Sequence, residues 1–108
     1  MEEWQLKLQA KNAQLLRTAL HDPLTGLANR AAFRSSINAL MNDDAAHSSS
    51  ALLFLDGDNF KFINDTWGHA AGDRVLIEVA KRLSEFGGSR HYPYRLGGDE
   101  FAMVLYSV

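Results

Sequence analysis

Apolar residues recur at helical spacing near the start of the chain. Residues 1–20 contain neither Gly nor Pro and are rich in strong helix formers, which predicts a helix. One apolar stripe repeats every seven residues and consists of Leu6, Ala13 and Leu20, with Leu16 and Gln9 at the intervening positions. A second stripe contains Leu8 and Leu15. Two interpretations stay open: a coiled-coil seam of uncertain register, and an ordinary amphipathic helix that packs on its own domain.

The remaining pattern predicts alternating helices and strands. In chain order these are a helix over 29–41, a strand over 51–55, a short helix over 60–67, a longer helix over 72–86, and two strands over 92–96 and 101–106 around Gly97-Gly98. The uninterrupted apolar run 51–55 indicates a strand buried on both faces. Residues 42–50 form a polar loop, and Gly87-Gly88 closes the longer helix. This order predicts a layered α/β (α+β) fold.

Two predicted helices carry apolar faces. That of helix 29–41 consists of Leu27, Ala31 or Ala32, Phe33, Ile37 and Leu40. That of helix 72–86 consists of Val75, Val79, Leu83 and Phe86. We expect both faces to contact the sheet, and we expect Trp4 and Trp67 to be packing residues.

Composition narrows the class of protein. The 108 residues suffice for one small domain, and 46% hydrophobic with 22% charged residues is typical of a globular protein. The net charge is −2, so the chain lacks the excess of positive charge that attracts nucleic acid, and no nucleic-acid partner is expected. With no Cys, a disulfide framework is excluded. No apolar run is long enough to span a bilayer, so membrane attachment would involve other parts of the protein.

Acidic residues follow one predicted strand and precede another. Asp56 and Asp58 come directly after strand 51–55, and Asp99 and Glu100 follow the Gly-Gly turn. If these strands are neighbours, the carboxylates converge, and a cation is then needed to offset their repulsion. Oxygen ligands without His or Cys favour Mg²⁺ or Mn²⁺, and Mg²⁺ completes its shell with phosphate and water. The acidic set therefore indicates a nucleoside triphosphate site.

Four motifs in order resemble the GGDEF family of diguanylate cyclases. They are the segments DPLTGLANR at 22–30, DGDNFKFIND at 56–65, GHAAGD at 68–73 and RLGGDEF at 95–101. The resemblance implies a palm-like nucleotide-cyclase fold, with a central sheet flanked by helices. It implies a stalk helix over 1–20 and the N-terminal part of a GGDEF domain over 21–108. The amino-acid sequence of residues 54–105, preceded by such a helix, is also similar to that of a membrane-bound type of cyclase within the family.

The resemblance also implies residue roles. Metal ligands would be Asp56, the Gly57 carbonyl and Asp99, which with the substrate would hold two Mg²⁺ per active site, or Mn²⁺. Glu100 would be the catalytic acid that helps to deprotonate the attacking 3′-hydroxyl, with a metal-bound hydroxyl and Asp99 as the alternative candidates for the base. Lys61 would neutralise developing charge. Substrate contacts would come from Asn64 and Asp73 on the guanine, His69 near the base or ribose, the backbone of Asn59 and Phe60 on the phosphates, and Gly97 and Gly98, where the nucleotide approaches the backbone.

The implied activity condenses two GTP into cyclic di-GMP and releases two pyrophosphates across a homodimer. The resemblance places the domain in the cytoplasm, in a protein anchored in the bacterial inner membrane. Two alternatives are a silent module that binds a nucleotide or protein partner, and an inactive fragment of an active parent. Residues 1–108 alone are expected to be inactive, because the family domain continues further and its missing elements would leave Leu53, Met103 and Leu105 exposed.

One motif of the family is missing from the sequence. The family's product-inhibition site is an Arg-x-x-Asp whose Asp is separated from the first signature Gly by five residues, and Gly88 and His91 occupy those positions here. The sequence therefore predicts that product inhibition through this site is absent.

Overall fold

The chain begins with two helices, and the turn between them forms hydrogen bonds with both. A computed structural model of the chain describes residues 2–44, 49–86 and 88–106. Helix α1 spans Glu3–Leu20 and helix α2 spans Arg30–Met41, both close to their predicted bounds. The Asn29 side chain caps α2 by accepting a hydrogen bond from the Ala32 N–H, and its Nδ2 donates to the Ala19 carbonyl at 2.8 Å. One residue thus fixes the end of α1 and the start of α2.

The elements after α2 occur in the predicted order. They are β1 (Ala51–Asp56), α3 (Phe60–Trp67), α4 (His69–Glu85), β2 (His91–Gly97) and β3 (Glu100–Leu105). The start of α4 at His69 rather than Gly72 corrects the prediction, because the break between the helices is at Gly68, whose φ is +91°. Residues 45–48 of the predicted loop and Gly87 lie outside the described residues.

The three strands form an antiparallel sheet in the order β1-β3-β2. The prediction that β1 is buried on both faces was wrong, since its residues after Ala51 are exposed. The reason is strand order: β3 pairs with both neighbours, which leaves β1 at an edge of the described sheet. Of the residues expected to be exposed, Leu53 is exposed at 44%, whereas Met103 is 1% exposed and Leu105 is half-buried, because β3 is central.

Helices pack on both faces of the sheet. On one face Leu76 and Ala80 of α4 contact Phe101, and on the other α2 packs on Ala102 and Val104. The α2 contacts come from Ala32, Phe33, Ile37 and Leu40, as predicted, with Ala32 rather than the exposed Ala31. Alternate β3 side chains therefore point into different clusters, and burying each large apolar side chain contributes about 1.5–3 kcal/mol.

The apolar face of α4 is shifted from the predicted one. Val79 and Leu83 do pack against the Leu76–Ala80 cluster, but Val75 and Phe86 are exposed. The residues that α4 buries are Gly72, Leu76 and Ala80. The helix thus turns the Leu76 side of its surface toward Phe101.

Helix α1 keeps its apolar side chains in solvent. Leu6 and Leu8 are exposed at 53% and 51%, and Leu15 and Leu16 at 59% and 61%. The alternative in which α1 packs along its own domain is therefore not what the structure shows. The prediction that Trp4 and Trp67 pack was also wrong, since both are mostly exposed.

Candidate active site

Three of the four residues of the predicted acidic patch, Asp56, Asp99 and Glu100, lie at one end of the β1–β3 pair. Asp56, the last residue of β1, lies opposite Glu100, the first residue of β3. The Gly57 N–H, just beyond β1, donates to the Asp99 carbonyl at 3.1 Å. The two strands are neighbours, as the convergence of the carboxylates required. Asp56 and Glu100 are exposed, and Asp99 is half-buried.

Gly57 allows Asp99 to lie directly against the end of β1. A Cβ at residue 57 would lie 2.9 Å from Asp99 Oδ2 and 3.0 Å from Asp99 Cβ, closer than ordinary contact. Any other residue would therefore displace the Asp99 side chain from its position against Gly57. Two cavities that share Leu55, Asp56 and Phe101 open beside these residues. The one of about 320 Å³ includes Glu100 in its lining, and the one of about 200 Å³ includes Gly57 and Asp99.

The donor set fits a hard divalent cation bound together with a substrate. Asp56 at the end of β1 and Asp99 just before β3 carry carboxylates, and Gly57, which follows Asp56, carries a backbone carbonyl. Within 2–44, 49–86 and 88–106 there is no group of three or more His, Cys, Asp or Glu side chains arranged to hold a metal. Mg²⁺ commonly takes one or two carboxylates and obtains its other ligands from phosphate and water. The site thus fits Mg²⁺ in the presence of a phosphorylated ligand.

Arg30 is a site residue that the sequence analysis did not assign. Its Nε donates to the Leu96 carbonyl at 2.9 Å, and its Nη2 lies 3.5 Å from Glu100 Oε2. The first residue of α2 therefore holds the Glu100 carboxylate from the side of the 320 Å³ cavity. The only signal in the sequence was its place at the end of the first motif.

Asp22 and Arg95 form a second ion pair that the sequence analysis did not assign, and Arg95 also contacts the Gly-Gly turn. Arg95 Nη1 donates to both Asp22 carboxylate oxygens at 3.0 and 3.1 Å, and Arg95 Nη2 donates to the Gly98 carbonyl at 2.9 Å. Burial, the largest single effect on Asp22, raises its pKa, but hydrogen bonds from the Thr25 N–H and hydroxyl together with Arg95 lower the pKa below 3.8 overall. The Asp22 carboxylate is thus held ionised against Arg95, 73 residues away in the chain.

Asn64 and Asp73 lie on helices that meet at Gly72. Asn64 of α3 contacts Gly72 of α4, and Asp73 is the next residue along α4. The Asn64 Oδ1 atom is buried and has no hydrogen-bond partner. Asp73 and His69 are exposed. The structure therefore places Asn64 against Gly72, the residue before Asp73, with His69 one turn before Asp73 on α4.

The other predicted substrate residues occupy two turns. In the β1–α3 turn Asn59 has a φ of +62°, a left-handed conformation that Asn tolerates, and Phe60 and Lys61 open α3. In the β2–β3 turn Gly97 and Gly98 have φ of +145° and +48°, with nothing within 4 Å of where a Cβ would be. Glycine is required there by backbone conformation, and the space beside it is open.

Comparison with known proteins identifies the family. A family model described as "Diguanylate cyclase, GGDEF domain" matches residues 19–108. The chain belongs to the diguanylate cyclase GGDEF family. The resemblance in the four motifs is thereby confirmed, and so is the α+β fold, since the similar solved structures are GGDEF domains.

Among curated GGDEF proteins, the chain is 84% identical to diguanylate cyclase DgcN of Escherichia coli (strain K12), over all of this chain and 26% of that protein. This identity confirms the narrower resemblance, to cyclases of the YfiN (DgcN) type. The chain is also 46% identical to diguanylate cyclase TpbB of Pseudomonas aeruginosa (strain UCBPP-PA14), over 97% of this chain and 24% of that protein. The chain thus spans about a quarter of the length of these relatives.

A solved structure of a GGDEF protein has a similar backbone. It is the coiled coil and GGDEF domain of DgcB from Caulobacter crescentus in complex with c-di-GMP, with a TM-score of 0.86 and 36% identity over 94% of this chain and 54% of that one.

Two further observations concern the predictions on regulation and membranes. The Gly88 N–H donates to His91 Nδ1 at 2.9 Å, so the positions of the missing Arg-x-x-Asp contact each other. The absence of product inhibition through them stays a prediction. Across the described residues, no helix combines the length and hydrophobicity that crossing a bilayer requires.

Proposed function

We propose that the protein containing this chain condenses two GTP into cyclic di-GMP and releases two pyrophosphates. The observation that carries the proposal is the pairing of β1 with β3, which places Asp56 opposite Glu100 and packs Asp99 against Gly57. The family and the high identity to a named diguanylate cyclase support it. The reaction has two bond-forming steps. Each forms a bond between a 3′-oxygen and an α-phosphorus, and each breaks the bond between that phosphorus and the oxygen that bridges it to the β-phosphate.

Asp56, Asp99 and the Gly57 carbonyl would hold Mg²⁺, or Mn²⁺, with two ions per active site. Bound there, the cations would neutralise triphosphate charge and favour ionisation of the attacking hydroxyl. Glu100 accepts the proton of the 3′-hydroxyl, and Arg30 keeps its carboxylate in place. Asp99, the residue directly before Glu100, assists this proton transfer. Lys61, exposed in the first turn of α3, offsets negative charge on the departing pyrophosphate.

Recognition of the base falls to the contact between α3 and α4. The Asp73 carboxylate accepts from the guanine N1–H and 2-amino group, and the Asn64 carboxamide donates to or accepts from the same edge. His69 borders the base or ribose. Backbone N–H groups of Asn59 and Phe60 bind phosphate, since the start of a helix presents unpaired donors. Gly97 and Gly98 leave the backbone open to the nucleotide.

The reaction needs two such domains, because each holds one GTP and the two substrates attack each other. Helix α1, whose apolar side chains face solvent, is the proposed stalk that brings two domains together, and the related DgcB structure also contains a coiled coil. The domain works in the cytoplasm, in a protein anchored in the inner membrane by segments other than this chain.

The test is product analysis with the complete protein. Incubation with GTP and Mg²⁺, followed by chromatography, is expected to give cyclic di-GMP and pyrophosphate in a ratio of one to two, and no product when the metal is chelated. GTP that remains unchanged under these conditions, or that is hydrolysed to GDP and phosphate, contradicts the proposal.

A further inference from the structure

Helices α3 and α4 contact each other at Gly72. This glycine is buried within α4. A Cβ at this position would overlap the Asn64 Oδ1 atom, and it would lie 2.9 Å from Asn64 Cγ and 3.3 Å from Phe60 Cζ. The Asn64 carboxamide therefore occupies the space that any other residue at position 72 would fill.

Two local costs coincide at this contact. Glycine inside a helix is less favourable than alanine, because it loses more backbone freedom on folding. A buried acceptor without a partner, as Asn64 Oδ1 is, adds the cost of removing that atom from water. Neither arrangement stabilises the fold, and alanine at 72 with a small apolar residue at 64 would remove both costs. Local features that oppose stability tend to be found where function requires them.

We infer that Gly72 is a positioning residue for base recognition: its missing side chain lets the Asn64 carboxamide insert between α3 and α4, beside Asp73. This inference rests on the proposed function, in which Asn64 and Asp73 bind guanine. Gly72 sets the carboxamide at a fixed depth and orientation, and Asp73 follows it directly in the same helix. The guanine edge then meets an amide and a carboxylate whose spacing is determined by the helix contact.

A purely structural role for Gly72 predicts a different outcome for Gly72→Ala. If close packing of α3 on α4 were its purpose, the added methyl group would destabilise the fold. The atoms it overlaps belong to the end of a side chain that can rotate, so we expect Asn64 to be displaced while the helices stay in place. Alanine also favours the helix. Thermal stability is thus expected to be kept or raised while base selectivity is lost.

The experiment is a double-mutant cycle in the complete protein. Wild type, Gly72→Ala, Asn64→Ala and the double variant are titrated with non-hydrolysable GTP and the matching ATP analogue in Mg²⁺, and thermal unfolding is recorded for each. Gly88→Ala is the matched control, because a Cβ at residue 88 would meet nothing within 4 Å. We expect both single variants to lose roughly 10- to 100-fold of the preference for GTP. The double variant should lose no more than either, and the control nothing.

Three results from the variants would overturn the inference. One is wild-type selectivity in Gly72→Ala, and another is a double variant whose loss is the sum of the single losses. The third is a lowered unfolding temperature in Gly72→Ala with equal losses for GTP and ATP, which would show a structural role. A wild-type protein that binds both analogues equally would overturn the guanine assignment itself, and this inference with it.

Discussion

The proposed roles of the acidic residues rest on their immediate neighbours. The missing side chain of Gly57 leaves room for Asp99 at the end of β1, and Arg30 Nη2 lies 3.5 Å from Glu100 Oε2. The sequence motifs were sufficient to propose the carboxylates as site residues, because all of them stand in recognisable local patterns, and their roles stay predictions. The contacts of Arg30 and Gly72 were not predictable in the same way, since each joins segments that only folding brings together.

Asp73 provides the first prediction at this scale. Asp73→Ala removes the acceptor for two guanine donors, so GTP affinity should fall by roughly 10- to 100-fold. ATP lacks those donors at the same edge, so its affinity should hardly change. Titrations of both nucleotides into the complete protein measure this directly, with Glu85→Gln as an exposed-carboxylate control. Equal losses for GTP and ATP would show that Asp73 does not bind the base.

Among the elements, the bounds of the helices and strands were predicted better than the burial of the sheet. The end of α1, the start of α2 and the end of α3 follow from Pro23, Asn29 and Gly68, which act locally. The exposure of β1 was not predictable from its apolar run, because it depends on which strand pairs with which. An apolar run such as Ala51–Asp56 has the same sequence pattern whether the strand lies in the middle of a sheet or at its edge.

The Asp22–Arg95 ion pair links the α1–α2 turn to β2, and it provides a prediction with a defined pH dependence. The pKa of folded Asp22 lies below 3.8, so its ionised form stabilises the fold above about pH 4, and this contribution is lost as the pH falls through the folded pKa. Asp22→Asn should lower the free energy of unfolding by about 1–3 kcal/mol at neutral pH.

The difference between wild type and Asp22→Asn should shrink below about pH 4. Urea unfolding of the complete protein at several pH values tests this, and Asp44→Asn, at an exposed position, is the control. A difference that stays constant down to the lowest pH would show that the ionisation of Asp22 does not contribute.

The shape of the whole molecule raises the question of what α1 contacts. The described part of the chain extends over 54 × 40 × 21 Å, and α1 exposes both of its apolar stripes. A dimer formed through α1 would bury one of them. The heptad spacing of Leu6, Ala13 and Leu20 favours the stripe that includes Leu16.

Two adjacent leucines with similar exposure make a matched test of the α1 seam. Leu16→Glu should place charge in the seam, dissociate the dimer and reduce cyclic di-GMP synthesis at least tenfold (~1.4 kcal/mol or more). Leu15→Glu should do neither. Analytical ultracentrifugation and turnover of the complete protein are the readouts. The reverse outcome would assign the seam to the stripe of Leu8 and Leu15, and two unaffected variants would exclude α1 as the dimer contact.

The most direct test of the central claim is the effect of Glu100→Gln on chemistry and on binding in the complete protein. We expect cyclic di-GMP synthesis from GTP and Mg²⁺ to be abolished, because the proposed proton acceptor is removed at the β1–β3 site. GTP binding, measured by titration, should remain within a few-fold of wild type, since the base and phosphate contacts are elsewhere. Glu85→Gln, an exposed change of the same kind, should alter neither. Turnover of Glu100→Gln near the wild-type rate would contradict the account.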